Sequence, residues 1–214
     1  MNERERMLTG IAWLGNAGFR IHDGDRLVYV DPWRLSNPQP ADLVLITHAH
    51  ASHLSPDDLA RICGAETIVV CPEGCEQKVA DLGCRVRTVR PGMALEVLGY
   101  PIEAVYSYNV DKRFHPRGGQ RVGYIIEVGG RRIYHAGDTD LIPEMADVRC
   151  DVALLPVGGI YTMDAPEAIE AIARIRPKVV VPMHWGNKAG GIEDATRVRD
   201  GAPDGIEVVI LEHT

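Results

Sequence analysis

The segment Thr47-His48-Ala49-His50-Ala51-Ser52-His53-Leu54 constrains this chain most, because it stands directly behind the apolar run Leu43-Val44-Leu45-Ile46. A short apolar run bounded by polar residues reads as a buried strand. Three imidazoles within six positions at its end have no packing purpose. Neutral imidazole is a preferred ligand for zinc, iron and manganese-type ions. Alternation along an extended segment puts His48 and His50 on one side. His53 lies past the bend and approaches from another direction. Such a cluster can hold one metal and reach toward a second; the bland alternative is a solvated His-rich loop.

The same arrangement recurs elsewhere. Asp31 follows Leu27-Val28-Tyr29-Val30 and precedes Pro32. Asp138 follows Arg132-Ile133-Tyr134-His135, in His135-Ala136-Gly137-Asp138-Thr139-Asp140. His184 follows Val179-Val180-Val181-Pro182, just before Trp185-Gly186. Chance placement of metal-type residues at four strand ends is improbable. A site assembled from strand ends holds its ligands rigidly.

The remaining periodicity predicts further strands at 11–14, 19–22, 67–70, 85–89, 95–98, 102–106, 122–128, 152–156 and 208–211. Asp23-Gly24-Asp25 and Gly129-Gly130 are hairpin signals. Ser55-Pro56-Asp57-Asp58 starts a helix through about Cys63, with a cap, Pro at the first position and acids in the first turn. A second helix is expected from Glu73 to Leu82, closed by Gly83. Asp164-Ala165-Pro166-Glu167 caps a third, which Pro177 stops. Two strand-rich halves with interspersed helices imply two stacked mixed sheets, helices outside and one continuous core. With 214 residues, one domain over 1–214 is expected.

Composition limits the partners. The formal net charge is -7, which argues against nucleic acid as the main partner. Arg113, Arg117 and Arg121 still cluster around one loop. No apolar stretch is long enough to span a bilayer, and the N-terminus is not a signal peptide, so the expectation is a cytoplasmic protein without a membrane partner. The five cysteines are odd in number and scattered, which points to reduced thiols.

Taken together, these segments resemble the metallo-β-lactamase superfamily, and within it the small stand-alone hydrolases related to the ascorbate-6-phosphate lactonase branch. The resemblance runs from Trp13-Leu14-Gly15 to Met183-His184-Trp185-Gly186. Its most specific parts are residues 133–140 and Leu154-Leu155-Pro156-Val157-Gly158-Gly159-Ile160-Tyr161-Thr162-Met163. It implies an α/β, four-layer αββα sandwich with a metal site along one edge. The family pattern H-x-H-x-D-H maps onto His48, His50, Ser52 and His53. By that mapping His48 and His50 bind a first metal, His53 and His184 a second, and Asp138 bridges them. His115 or His135 completes the first site, with His115 preferred because it stands in a loop. Asp31 resembles the family's buried acid that holds a ligand imidazole.

Two positions depart from the pattern. Ser52 replaces the family aspartate, and a neutral hydroxyl is a far weaker ligand than a carboxylate. Asn16 stands where many relatives of this branch carry histidine. The second metal site is therefore expected to be weakened.

The function implied is metal-assisted hydrolysis of an ester, lactone or phosphodiester, with a metal-activated water as nucleophile. Asp138, His53 and Asp31 are the candidate catalytic residues. One or two divalent ions are expected, zinc first, then manganese or iron. Tyr108, Asn109 and Arg113 are candidate contacts for a small-molecule substrate, with the arginines favouring an anion. A homo-oligomer is compatible with the sequence. Two other classes stay open: a non-catalytic or weakly active metal-binding module, and a di-iron oxidoreductase on the same fold.

Overall fold

Strands that bury both faces need cover on both sides, and that requirement organises the chain. The computed structural model describes residues 2–119 and 121–214. A capped helix α1 (Glu3–Leu8) leads into β1 (Ile11–Trp13), β2 (Phe19–Asp23), β3 (Arg26–Val30) and β4 (Leu43–Leu45). Helix α2 (Pro56–Ile62), β5 (Ile68–Pro72) and β6 (Arg85–Val89) follow. These six strands form one sheet in sequential order. Its first three strands are an antiparallel meander, and β3 to β6 run parallel.

The second half repeats this plan. It contains β7 (Ala94–Val97), β8 (Tyr100–Val105), β9 (Gly123–Val128), β10 (Arg131–His135), β11 (Val152–Pro156), α3 (Ala165–Ile175), β12 (Val179–Met183), α4 (Ile192–Gly201) and β13 (Glu207–Val208). The sheet order is β13-β12-β11-β10-β9-β8-β7. Strands β7 to β10 are antiparallel and β10 to β13 parallel.

The inner faces meet in one apolar layer. Phe19, Ile21, Val28 and Leu45 come from the first sheet, and Ile102, Tyr124, Ile126 and Leu154 from the second. Helix α2 covers the first sheet's outer face, placing Leu59 and Ile62 on Tyr29, Val44 and Val69. Helices α3 and α4 cover the other outer face, with Ala168, Ile172 and Val198 against Tyr134, Ala153 and Val180. The architecture is thus αββα. The expected single continuous core is instead three apolar layers, because parallel strands such as β11 and β12 are buried at every position.

Helix α3 shows why the outer layers hold. Asp164 accepts from the Glu167 amide at 2.9 Å, and the Glu167 carboxylate accepts from the Asp164 amide at 3.0 Å. Its buried stripe is Ala165, Ala168, Ala171, Ile172 and Ile175. Burying Ile172 alone contributes about 1.5–3 kcal/mol.

The structure corrects two expected elements. The expected helix over 73–82 is two 3-10 turns, Glu76–Lys78 and Ala80–Leu82, closed by Gly83 in the left-handed region at φ 69°. Gly74 at φ 85° and Val79 at φ -114° break the segment into single turns. The expected strand at 208–211 pairs only over Glu207–Val208. Beyond it the chain crosses to the other sheet, where His213 bridges Trp13 and the Thr214 amide donates to the Trp13 carbonyl at 3.1 Å. Among the described residues, no helix is long and apolar enough to cross a membrane.

Candidate metal centre

Parallel strands deliver their C-terminal ends to one edge of a sheet, where side chains leave the pairing ladder and become free for chemistry. Asp31 is the first residue past β3. Its φ is 45°, a conformation uncommon outside glycine. Its amide donates to the Leu45 carbonyl at 3.0 Å, which pins the turn to β4. The buried carboxylate accepts from the Thr47 amide at 2.8 Å, the Thr47 hydroxyl at 2.6 Å and His53 Nδ1 at 2.7 Å. Having donated to Asp31, Thr47 Oγ1 accepts from His48 Nδ1 at 3.0 Å. Asp31 therefore orients His53 directly and His48 through Thr47, turning each Nε2 toward the site.

His115 arrives from the loop between β8 and β9. Asn109 Oδ1 accepts from the His115 amide at 2.9 Å and lies 3.1 Å from His115 Nδ1; the Tyr161 carbonyl is 3.2 Å from the same nitrogen. Asn109 Nδ2 donates in turn to Asp140 Oδ1 at 2.9 Å, and Lys112 Nζ donates to that oxygen at 2.5 Å. This network clamps the loop, so His115 Nε2 also faces inward.

Asp138 leaves β10 through Gly137, which has φ 66°. A Cβ at 137 would stand 3.0 Å from Ser107 Oγ and the Val122 carbonyl, so the turn needs glycine. His184 leaves β12 at φ 59°, and its amide donates to the Asn16 carbonyl at 2.8 Å. The two loops bring Asp138 Oδ2 to 3.2 Å from His184 Nε2 and 3.3 Å from His53 Nε2. The same oxygen lies 3.6 Å from His115 Nε2 and 3.9 Å from His48 Nε2. Three groups with metal-holding spacing result: His48, His50 and His115; His53, Asp138 and His184; and Asp31, His48 and His53, of which Asp31 is already spent on Thr47 and His53. All are buried except His50, which forms the exposed lip.

Proton affinities differ across the set. Burial, reinforced by neighbouring His53, holds the His48 imidazole well below its usual proton affinity. Burial pushes His115 down to about 4, although Asp138 pulls the other way. Both rings are therefore neutral near pH 7. His50 Nδ1 lies 3.1 Å from His48 Nε2 and 3.4 Å from His115 Nε2. With the Nδ1 protons of His48 and His115 committed elsewhere, one proton on His50 cannot satisfy both contacts. Burial alone would raise the Asp138 carboxyl, but His184 and His53 outweigh it and hold it well below the usual range. Burial depresses His53, yet Asp138 and Asp31 overcome that and raise it to about 10. Asp138 Oδ1 and His184 Nδ1 are buried with no hydrogen-bond partner among the described residues. A nitrogen-rich donor set with one carboxylate fits a divalent first-row ion.

Other sequence candidates fall outside these groups. His135 lies beneath the site, donating from Nε2 to the Ala17 carbonyl at 2.8 Å and accepting from the Gly137 amide at Nδ1. Asp58, read from the sequence as a helix-start acid, accepts from the Arg34 and Leu35 amides. Ser52 is half-buried, and its carbonyl accepts from Asn16 Nδ2 at 3.5 Å. The Tyr108 hydroxyl donates to Glu144 at 2.9 Å. Asn109 serves His115, as described, and Arg113 is exposed beside the Phe114 ring. Sequence reasoning did not single out Thr47, Lys112 or Asp140. Thr47 had one signal, a hydroxyl directly before the His-x-His pair; the other two act only through tertiary contacts.

Comparison with known proteins follows the geometry. The family model for the beta-lactamase superfamily domain matches residues 10–184. A UPF0173 metal-dependent hydrolase of Symbiobacterium thermophilum is 34% identical over 210 residues, covering 89% of this chain and 92% of its own. One from Pyrococcus abyssi is 32% identical, covering 96% and 97%. Among solved structures, a Parabacteroides distasonis protein superposes with TM-score 0.84 at 30% identity, covering 95% of this chain and 93% of its own. Igni18, a metallo hydrolase from Ignicoccus hospitalis, gives 0.77 at 26% identity, covering 94% of each.

Proposed function

The chain belongs to the metallo-β-lactamase superfamily, and from that premise we propose that it is a metal-dependent hydrolase of an ester, lactone or phosphodiester. One observation supports the reading most: Asp138 Oδ2 lies 3.2–3.9 Å from the Nε2 atoms of four buried histidines, two from each donor group. His48, His50 and His115 would hold a first ion, and His53, Asp138 and His184 a second, with Asp138 shared. Zinc suits the nitrogen-rich set best; manganese and iron remain chemically acceptable. When bound, the metal supplies Lewis acidity and a lowered pKa for water, from 15.7 to about 7.

The chain's own residues supply the geometry. Asp31 and Thr47 lock the His48 and His53 rings. Asp138 Oδ1, which has no hydrogen-bond partner among the described residues, accepts a hydrogen bond from the attacking water and orients it. The Nε2 atoms of the four buried histidines exclude bulk water from the carboxylate's inner face. The substrate is a small molecule that approaches past His50, the exposed member of the set.

The test is metal quantification on protein purified without chelators, followed by a panel of lactones, p-nitrophenyl esters and bis(p-nitrophenyl) phosphate. His184→Ala is expected to reduce metal content and to bring turnover to background, with the circular dichroism spectrum unchanged. Retained turnover in that variant overturns the assignment.

A further inference from the structure

A cavity of about 370 Å³ opens beside the candidate metal centre, within the range of small-ligand sites. Its walls are largely apolar, with Val89, Pro91 and Tyr106 among them. Ser107 and Arg121 line the end nearest the Asp138 loop. Ser107 Oγ donates to the Asp138 carbonyl at 3.3 Å, so this end adjoins the metal-holding loops. The Val122 amide, next in the chain to Arg121, donates to the Thr47 carbonyl at 3.0 Å, which brings Arg121 beside the strand end that carries His48 and His50.

The other charges around this cavity are satisfied. Arg90 pairs with Glu73 at 2.7 Å, and Arg117 with Glu144 at 2.8 Å. Arg121 has no carboxylate partner among the described residues. Its Nε is buried without a hydrogen-bond partner, and its Nη2 makes only a long contact of 3.4 Å to the Phe114 carbonyl. A half-buried guanidinium with idle donors is costly. Set next to a cation site, it also repels the metal. An anion lying between the two charges removes both penalties, and the planar fork matches carboxylate or phosphate.

We propose that Arg121 is the specificity-determining residue of this site, pairing with an anionic group on a substrate whose apolar part occupies the cavity lined by Val89, Pro91 and Tyr106. This deepens the hydrolase reading and rests on it for turnover, although the binding claim stands apart. The substrate class is a carboxylate- or phosphate-bearing ester or lactone.

The experiment has two arms. In the first, metal-loaded protein is given p-nitrophenyl glutarate monoester and neutral p-nitrophenyl valerate. Wild type is expected to favour the anion by about 10–100-fold in kcat/KM, mostly through KM. Arg121→Met brings that ratio near one, and Arg121→Lys restores part of it. In the second arm, titration calorimetry follows glutarate and, separately, phenyl phosphate binding to wild type and Arg121→Met at matched metal content. About tenfold or greater weakening is expected. The stronger of the two ligands identifies the source of the anion. If no ester is turned over but Arg121→Met still weakens anion binding, hydrolysis fails and the subsite stands. Equal anion affinity in both proteins overturns the subsite, whatever the esters do.

Discussion

Asp31 illustrates how much one buried side chain settles. It accepts three hydrogen bonds, one of them from the hydroxyl that steadies His48. Thr47→Val removes that link without touching a donor nitrogen. It is expected to weaken metal affinity about 10–100-fold, read by competition with a chromophoric chelator; unchanged affinity would show that His48 is held by packing alone. Ser52 raises a separate issue. A carboxylate there would bring negative charge toward His53 and His184, so Ser52→Asp is expected to retain more metal per chain than wild type after dialysis against a weak chelator. Equal retention in both proteins would mean that His53, Asp138 and His184 suffice without it.

At the level of elements, the far ends of the strands carry a second set of polar ties. Asp151, at the start of β11, accepts from the Arg132 amide at 3.0 Å and from Lys178 Nζ at 2.8 Å. It thereby joins β10, β11 and the approach to β12. Burial would raise its carboxyl, but the hydrogen bonds from Lys178 and Arg132 outweigh it and lower it. A carboxyl lowered on folding adds stability above its unfolded pKa and loses that contribution as pH falls through the folded value. Asp151→Asn is therefore expected to unfold at lower urea than wild type at pH 7. The gap should close as pH drops below the normal carboxylate range; a pH-independent gap would assign the loss to packing. Helix legibility followed burial. Helix α3 has five buried residues and a capping box and is plain in the sequence, whereas α4 buries only Ala195 and Val198 and α1 buries none. Weakly amphipathic helices give little periodic signal.

For the whole molecule, the apolar layers and the donor groups are separate sources of stability. The three layers close without any of the six candidate ligands. Chelation should therefore leave the far-UV circular dichroism spectrum intact while lowering Tm. At free metal about 100 times Kd, binding adds roughly 2.7 kcal/mol, or about 5–10 °C for a domain of this size. Unfolding on chelation would make the metal structural, and an unmoved Tm would argue that no ion binds the native state.

The amino-acid order determined nearly all the strands, the two hairpins, helices α2 and α3 and the residue types placed at strand ends, because periodicity and turn chemistry are local. It also marked out His48, His50, His53, Asp138 and His184 as a set. Only the tertiary structure decided that His115 stands at the site and His135 beneath it. Local pattern put His115 in a loop and His135 at a strand end, but the outcome arises because Asn109 and Tyr161 hold one ring toward the site while the Ala17 carbonyl holds the other beneath it. It decided likewise that Arg117 pairs with Glu144 while Arg121, of equal charge, has no carboxylate partner among the described residues. Pairing across long sequence separations depends on which loops the sheets bring together, and no local pattern encodes that.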